Sequence, residues 1–203
     1  MLNKYARGFF GKLFSPLARL LIKLGVSPDA VTIIGTLGVC IGALVFYPIG
    51  ELFWGTVFIT VFVFSDMVDG LMARMLNRSS SWGSFLDSTL DRLADAGVFA
   101  GVTIWFFTGG ASVPIAVAAL ICLVLGMLVS YARAKAESLG CTADVGIAER
   151  SERLVAVLVF TGFTGLGLPP VVLLVVLTLL AAASLVTVIQ RILAVYRQTQ
   201  VEA

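Results

Sequence analysis

The chain has 203 residues, 59% of them hydrophobic and 13% charged, with a mean hydropathy of +1.03. Soluble domains carry about 25% charged residues, so the composition excludes both a disordered chain and an ordinary soluble domain and points to a membrane protein of several spans. The net charge of +2 gives no reason to expect a nucleic-acid partner, and the absence of histidine excludes a Ser-His-Asp triad and His-ligated zinc or haem.

Residues 1–24 do not read as a signal peptide, because they lack an unbroken apolar stretch and a small-residue cleavage site. Leu2, Tyr5, Phe9, Leu13, Leu17, Leu20 and Leu24 recur at helical spacing with Lys and Arg between them. This predicts an amphipathic helix lying in the membrane interface, with a possible kink at Ser15-Pro16. A bilayer core of about 30 Å takes roughly 20 helical residues to cross. On that measure about six spans follow, near 30–49, 52–75, 84–108, 112–136, 152–168 and 170–190, as one domain over 1–203. Pro48-Ile49-Gly50, Gly109-Gly110 and Leu168-Pro169-Pro170 supply the turns. Cys40, Cys122 and Cys141 are widely spaced and offer neither a zinc pattern nor a disulfide framework.

Orientation follows from the basic residues. With six spans and a cytoplasmic N-terminus, all 14 Lys and Arg, from Lys4 through Arg78 to Arg197, fall on the cytoplasmic side, and only Glu51 is charged on the other. The expected setting is a multi-pass protein of the cell membrane with both termini in the cytoplasm.

The segment from Ser65 to Asp91 carries acidic residues inside two of the spans. Asp66 and Asp69, at i and i+3, share one face of the second span; Asp87 and Asp91, at i and i+4, share one face of the third. With a rise of about 1.5 Å per residue, the pairs lie roughly 6 to 14 Å from the helix ends at Met75 and Gly83. Antiparallel neighbours therefore bring them to similar depth. Four desolvated carboxylates repel one another, and divalent cations relieve this best, since hard ions take oxygen ligands and Mg²⁺ is held by carboxylates together with substrate phosphates. Gly70 and Gly83 thin the helices beside the acids, and Arg74 stands one turn beyond Asp69. Asp95, one turn beyond Asp91, reads equally as a helix–helix hydrogen-bonding residue. A divalent-cation transporter is the non-enzymatic alternative, although the outer halves of these spans are almost wholly apolar.

The segment resembles the signature of the CDP-alcohol phosphotransferase family, D-x-x-D-G-x-x-A-R, then G-x-x-x-D-x-x-x-D. Asp66, Asp69, Gly70, Ala73 and Arg74, followed after eight residues by Gly83, Asp87 and Asp91, match it without departure. The resemblance implies an all-α membrane fold of six transmembrane helices with an interfacial N-terminal helix. It also implies transfer of a phosphatidyl-type group from a CDP-linked lipid to an alcohol, releasing CMP. By that implication Asp66, Asp69, Asp87 and Asp91 bind two divalent ions, Mg²⁺ or Mn²⁺, and Asp91 is also the base. Gly70, Arg74, Gly83 and Ser80 contact the cytidine diphosphate, as do Asp29, Ala30, Val31 and Thr32 at the start of the first span. A homodimer is implied as well. Gly38/Gly42 and Gly97/Gly101 are small-residue pairs that permit close packing, either at a dimer face or within one subunit.

The acceptor alcohol is read from later segments. Ser130-Tyr131-Ala132-Arg133-Ala134-Lys135 ends the fourth span, Glu149-Arg150-Ser151-Glu152-Arg153 opens the fifth, and Arg191 lies near the end of the sixth. Converging cations suit a phosphorylated acceptor. These segments resemble the inositol-phosphate branch of the family, which implies that Ser130, Arg133, Lys135, Arg153 and Arg191 surround the phosphate of inositol 1-phosphate, with CDP-diacylglycerol as donor. Glycerol 3-phosphate, the acceptor of phosphatidylglycerophosphate synthases, is the runner-up.

Overall fold

The computed structural model of the chain describes residues 2–76 and 80–201, with side chains over 13–76 and 80–200. Arg78 lies outside the described residues, as do the side chains of Leu2, Tyr5 and Phe9. The described chain is helical: α1 Leu2–Lys23, α2 Pro28–Phe46, α3 Leu52–Val63, α4 Ser65–Met75, α5 Ser81–Phe107, α6 Val113–Ser138, α7 Arg150–Gly165 and α8 Pro170–Val201.

Helix starts are encoded locally. Ser27 caps α2 by accepting a hydrogen bond from Ala30 N–H at 3.2 Å, and Pro28 occupies the first turn, where a missing N–H is harmless. Ser80 caps α5 in the same way, accepting from Gly83 N–H at 3.0 Å. Glu149 and Glu152 cap α7 reciprocally. At the other end of the bundle the chain turns at Gly50 (φ +86°) and Gly167 (φ +100°), in the left-handed region that glycine adopts without strain.

The expected second span is two helices, α3 and α4, meeting at Phe64. The break lies where α2 approaches most closely: a Cβ on Gly35 would overlap the Ser65 side chain. Among the described residues, four stretches are long and apolar enough to cross a bilayer by themselves: Pro28–Phe46, Leu52–Met75, Val113–Ser138 and Pro170–Gln200. Charge and length set the other two helices apart, since the first half of α5 carries Asp87, Asp91, Arg92 and Asp95, and α7 has 16 residues.

α2 sits at the centre against α3, α4 and α5, while α6 packs on α5 and α8, α7 on α3 and α8, and α1 on α4. Between apolar helices in lipid the attraction is close packing rather than exclusion of water, so small residues matter most. Both glycine pairs act here inside the subunit. A Cβ on Gly42 would lie 2.7 Å from Phe58 and one on Gly38 would collide with Phe62, both on α3; Gly97 and Gly101 press against Cys40 and the Ala43 carbonyl of α2. The shared core includes Val39, Tyr47, Ile59, Val98, Phe106 and Leu177. Large apolar side chains such as Ile41, Val61, Val124 and Leu179 are exposed on the outer faces, the inverse of a soluble protein. α1 docks on α4 through Phe14, Ala18 and Leu21, packed with Val68 and Met72. Leu13, Leu17, Leu20 and Leu24, the described part of the predicted stripe, point away from that contact and are exposed. The three cysteines are free.

Candidate active site

The start of α2, the first half of α4, the start of α5, the end of α6, the start of α7 and the end of α8 meet at one end of the bundle. Side-chain bonds join them there. Asp69 is buried, and its Oδ2 accepts a hydrogen bond of 2.6 Å from the Thr32 hydroxyl of α2. Asp29, one turn earlier on α2, accepts from the Trp82 indole of α5 at 3.1 Å. Ala30 and Val31 share this helix start, so the predicted nucleotide segment does lie beside α4 and α5.

Across from Thr32 stands a guanidinium. Arg150, the first residue of α7, places NH1 at 2.8 Å from Asp91 Oδ1 and 3.5 Å from Asp66 Oδ2, and Nε at 3.2 Å from Asp95 Oδ1. Arg92 lies 3.7 Å from both Asp91 Oδ2 and Asp95 Oδ2, and it donates to the Ser130 hydroxyl of α6. Asp87 has no ion pair or hydrogen bond among the described residues, yet its charge acts on Asp66, Asp69 and Asp91. The four motif carboxylates thus form one electrostatic cluster. Among the described residues no three acidic side chains already close around a single point. Arg150 stands between two of them.

Gly70 borders open space, with no atom of the described residues within 4 Å of where a Cβ would be. Among the described residues, a Cβ on Gly83 would meet only Ser80 Oγ, at 3.3 Å. The helix surfaces flanking the acids are therefore clear for a bulky ligand, with the exposed Arg74 at their rim. Ser80 is already engaged as the cap of α5.

The predicted acceptor residues divide into two groups. Arg153 and Arg191 are buried, 2% and 6% exposed, and tied to the backbone. Arg153 NH1 donates to Ala148 O at 2.9 Å, whereas its NH2 is buried with no hydrogen-bond partner among the described residues. Arg191 donates to Val145 O at 2.9 Å and Val129 O at 2.6 Å. Arg133 and Lys135 are exposed instead, and Arg133 pairs with Glu137 at 3.0 Å and Asp144 at 3.2 Å. Arg191 therefore also fastens the loop between α6 and α7. Thr187 assists, accepting from Ile147 and Ala148 N–H at 3.1 Å, and Gln198 binds Thr142 through both ends of its amide.

The sequence names Arg150 only within the cationic segment that opens the fifth span, gives Arg92 no part in the site and leaves Asp95 undecided. The usable signal was Arg150 at the first turn of α7, where the positive end of the helix dipole disfavours a cation unless carboxylates face it.

Acidic oxygen donors beside guanidinium groups, at the end of an apolar bundle, suit a membrane enzyme acting on phosphate esters. Comparison with known proteins narrows the class: the chain belongs to the CDP-alcohol phosphatidyltransferase family, whose pattern matches residues 25–189. That membership overturns the transporter reading. The chain is 53% identical to the phosphatidylinositol phosphate synthase of Streptomyces avermitilis, covering 98% of this chain and 84% of that protein. It is 45% identical to the enzyme of the same name from Mycolicibacterium smegmatis, covering 96% and 90%. Its fold is similar to the crystal structure of Mycobacterium tuberculosis phosphatidylinositol phosphate synthase with CDP-DAG bound, with a TM-score of 0.87 and 40% identity, covering 91% of this chain and 94% of that one. A structure of the same enzyme with manganese and citrate matches with a TM-score of 0.86 and 41% identity, covering 90% and 88%.

Proposed function

We propose that this enzyme transfers the phosphatidyl group of CDP-diacylglycerol to inositol 1-phosphate, giving phosphatidylinositol phosphate and CMP. The observation that carries this reading is 53% identity, over 98% of the chain, to a protein of that activity by name. The cations at the ends of α6, α7 and α8 support a phosphorylated acceptor, and the orphaned NH2 of buried Arg153 is a donor awaiting such an oxygen.

The donor set fits hard divalent cations, being oxygen only, acidic and self-repelling, with Asp69 oriented by the Thr32 hydroxyl as an outer-shell partner orients a ligand. Asp66, Asp69, Asp87 and Asp91 would hold two ions, Mg²⁺ or Mn²⁺. Such ions supply charge neutralisation at the pyrophosphate. The chain does the rest. Gly70 and Gly83 admit the cytidine diphosphate, Arg74 and the segment Asp29–Thr32 border it, and Ser80 contributes through the start of α5. Ser130, Arg133, Lys135, Arg153 and Arg191 orient the acceptor phosphate. Asp91 takes the proton from the inositol hydroxyl as its oxygen bonds to the phosphatidyl phosphorus, and the bond to CMP breaks with its electron pair on CMP.

We place this site on the cytoplasmic side of the cell membrane, in one domain of six transmembrane helices, α3 and α4 together forming the second. Both termini are cytoplasmic. α1 lies in the interface with its exposed leucines toward lipid, which the outward direction of Leu13, Leu17, Leu20 and Leu24 supports. In the proposed homodimer the contact uses a surface other than the two glycine pairs, which are occupied within the subunit.

The test is CMP release from CDP-diacylglycerol with Mg²⁺ or Mn²⁺ and a panel of inositol 1-phosphate, glycerol 3-phosphate, inositol and serine. Turnover with inositol 1-phosphate alone is expected. Turnover only with glycerol 3-phosphate transfers the assignment to the runner-up, and silence with every alcohol removes it.

A further inference from the structure

Arg150 is bonded to oxygens of Asp66 and Asp91, two of the carboxylates to which the proposed function gives divalent ions. A guanidinium and a metal ion compete for the same lone pairs. Arginine keeps its charge in any protein environment and cannot withdraw by losing a proton. It can withdraw only by moving, and its third partner shows where to. Asp95 lies outside the family signature and holds Nε at 3.2 Å, a different nitrogen from the NH1 that faces Asp66 and Asp91. The Arg150 backbone is fixed independently by the Glu149–Glu152 capping box, so the motion available is that of the side chain. Helix stability does not account for its placement, because a cation at a helix N-terminus opposes the dipole.

Resting on the metal site proposed above, we propose that Arg150 is a tethered counter-cation of the acidic cluster. It shares Asp66 and Asp91, yields their oxygens to divalent ions, and is retained by Asp95, which acts as its positioning residue. Metal affinity is then set by competition within the chain. The guanidinium edge that yields lies at the start of α7, one turn from Arg153, so metal loading also releases a donor beside the acceptor site.

The competition gives its two residues opposite signs, which a purely structural role does not. Arg150→Gln removes the competitor, and the full-length protein in nanodiscs binds Mn²⁺ more tightly, about tenfold on the scale of couplings between ligands of one site. Asp95→Asn removes the retreat, leaving Arg150 on Asp66 and Asp91, and Mn²⁺ binds more weakly by a similar factor. Arg150→Lys, a smaller cation without the planar fork, falls between wild type and Arg150→Gln. The readout is free Mn²⁺ by electron paramagnetic resonance, which needs no turnover. Thermal unfolding in EDTA and in saturating Mn²⁺ provides a second readout, with a larger metal-dependent rise in Tm for Arg150→Gln than for wild type. Weaker or unchanged Mn²⁺ binding in Arg150→Gln overturns the proposal while leaving the metal site intact. Absence of saturable Mn²⁺ binding in the wild type overturns the metal site, and the counter-cation with it.

Discussion

Gly70→Ala separates the nucleotide cradle from the packing of the helix that carries it. Gly70 lies within α4, and its missing Cβ would meet nothing within 4 Å among the described residues. Alanine in a helix interior is more stable than glycine by about 0.5–1 kcal/mol, chiefly because the unfolded chain loses freedom. For a chain of this size, that is a rise in Tm of about 1–4 °C. The same methyl group stands beside Asp69, in the space the proposed function gives to the pyrophosphate. Displacing a reacting group by about 1 Å costs on the order of 100-fold in rate. The variant is thus expected to be slightly more stable and about 100-fold less active in kcat/KM for CDP-diacylglycerol. Thermal unfolding in detergent and CMP release measure the two effects on one preparation. Wild-type kcat/KM would remove the nucleotide from this face of α4; a lower Tm would show that the space beside Gly70 is not open.

Gly101→Ala is the counterpart on a packed face. Its Cβ would collide with the Ala43 carbonyl, so a loss of about 1–3 kcal/mol is expected, read as a fall in Tm, with kcat per folded molecule unchanged. Thr32→Val keeps the side-chain volume but removes the 2.6 Å hydrogen bond to Asp69; weakening of Mn²⁺ binding by about 10- to 100-fold is expected from titration. Lys135→Ala touches an exposed cation and is expected to raise the KM for inositol 1-phosphate without moving Tm. Arg191→Ala removes a buried hydrogen bond to Val129 O, about 1.5–3 kcal/mol, and a part-buried one to Val145 O, and is expected to lower Tm as well.

The contrast between Lys135 and Arg191 shows what a linear sequence reveals and what it conceals. Charge counting brings both to the same side of the membrane and, with the resemblance, into one phosphate-binding group. The structure separates them by partner, since Arg191 holds the carbonyls of Val129 and Val145 while Lys135 is exposed. Carbonyls occur at every residue and leave no compositional trace, so a bond between an arginine and a loop backbone has no sequence signal. The aspartates are the opposite case. Their spacing at i, i+3 and i, i+4 is local, and it fixes a shared face before any tertiary contact is known. The break at Phe64 falls between these extremes. It coincides with no proline or glycine of its own strand of sequence, but with Gly35 on a neighbouring helix.

The same division governs how the acidic cluster is tolerated. The repulsion is written in one short segment, between Asp66 and Asp91, and the adjoining Arg92 offsets part of it, whereas the other groups come from far away in the chain: Thr32 from α2, Arg150 from α7, and Ser130 of α6, which holds Arg92. Removing any one partner of a buried charge is more damaging than never having had the pair. The signature residues therefore cannot be transplanted as a segment. An apolar bundle given this stretch but lacking Thr32 and Arg150 would keep Arg74 and the neighbouring Arg92 as local cations, but not the guanidinium that faces both Asp66 and Asp91. On the metal site proposed above, such a bundle would lean more heavily on divalent ions at that end, whereas here Arg150 supplies part of the charge and competes with them.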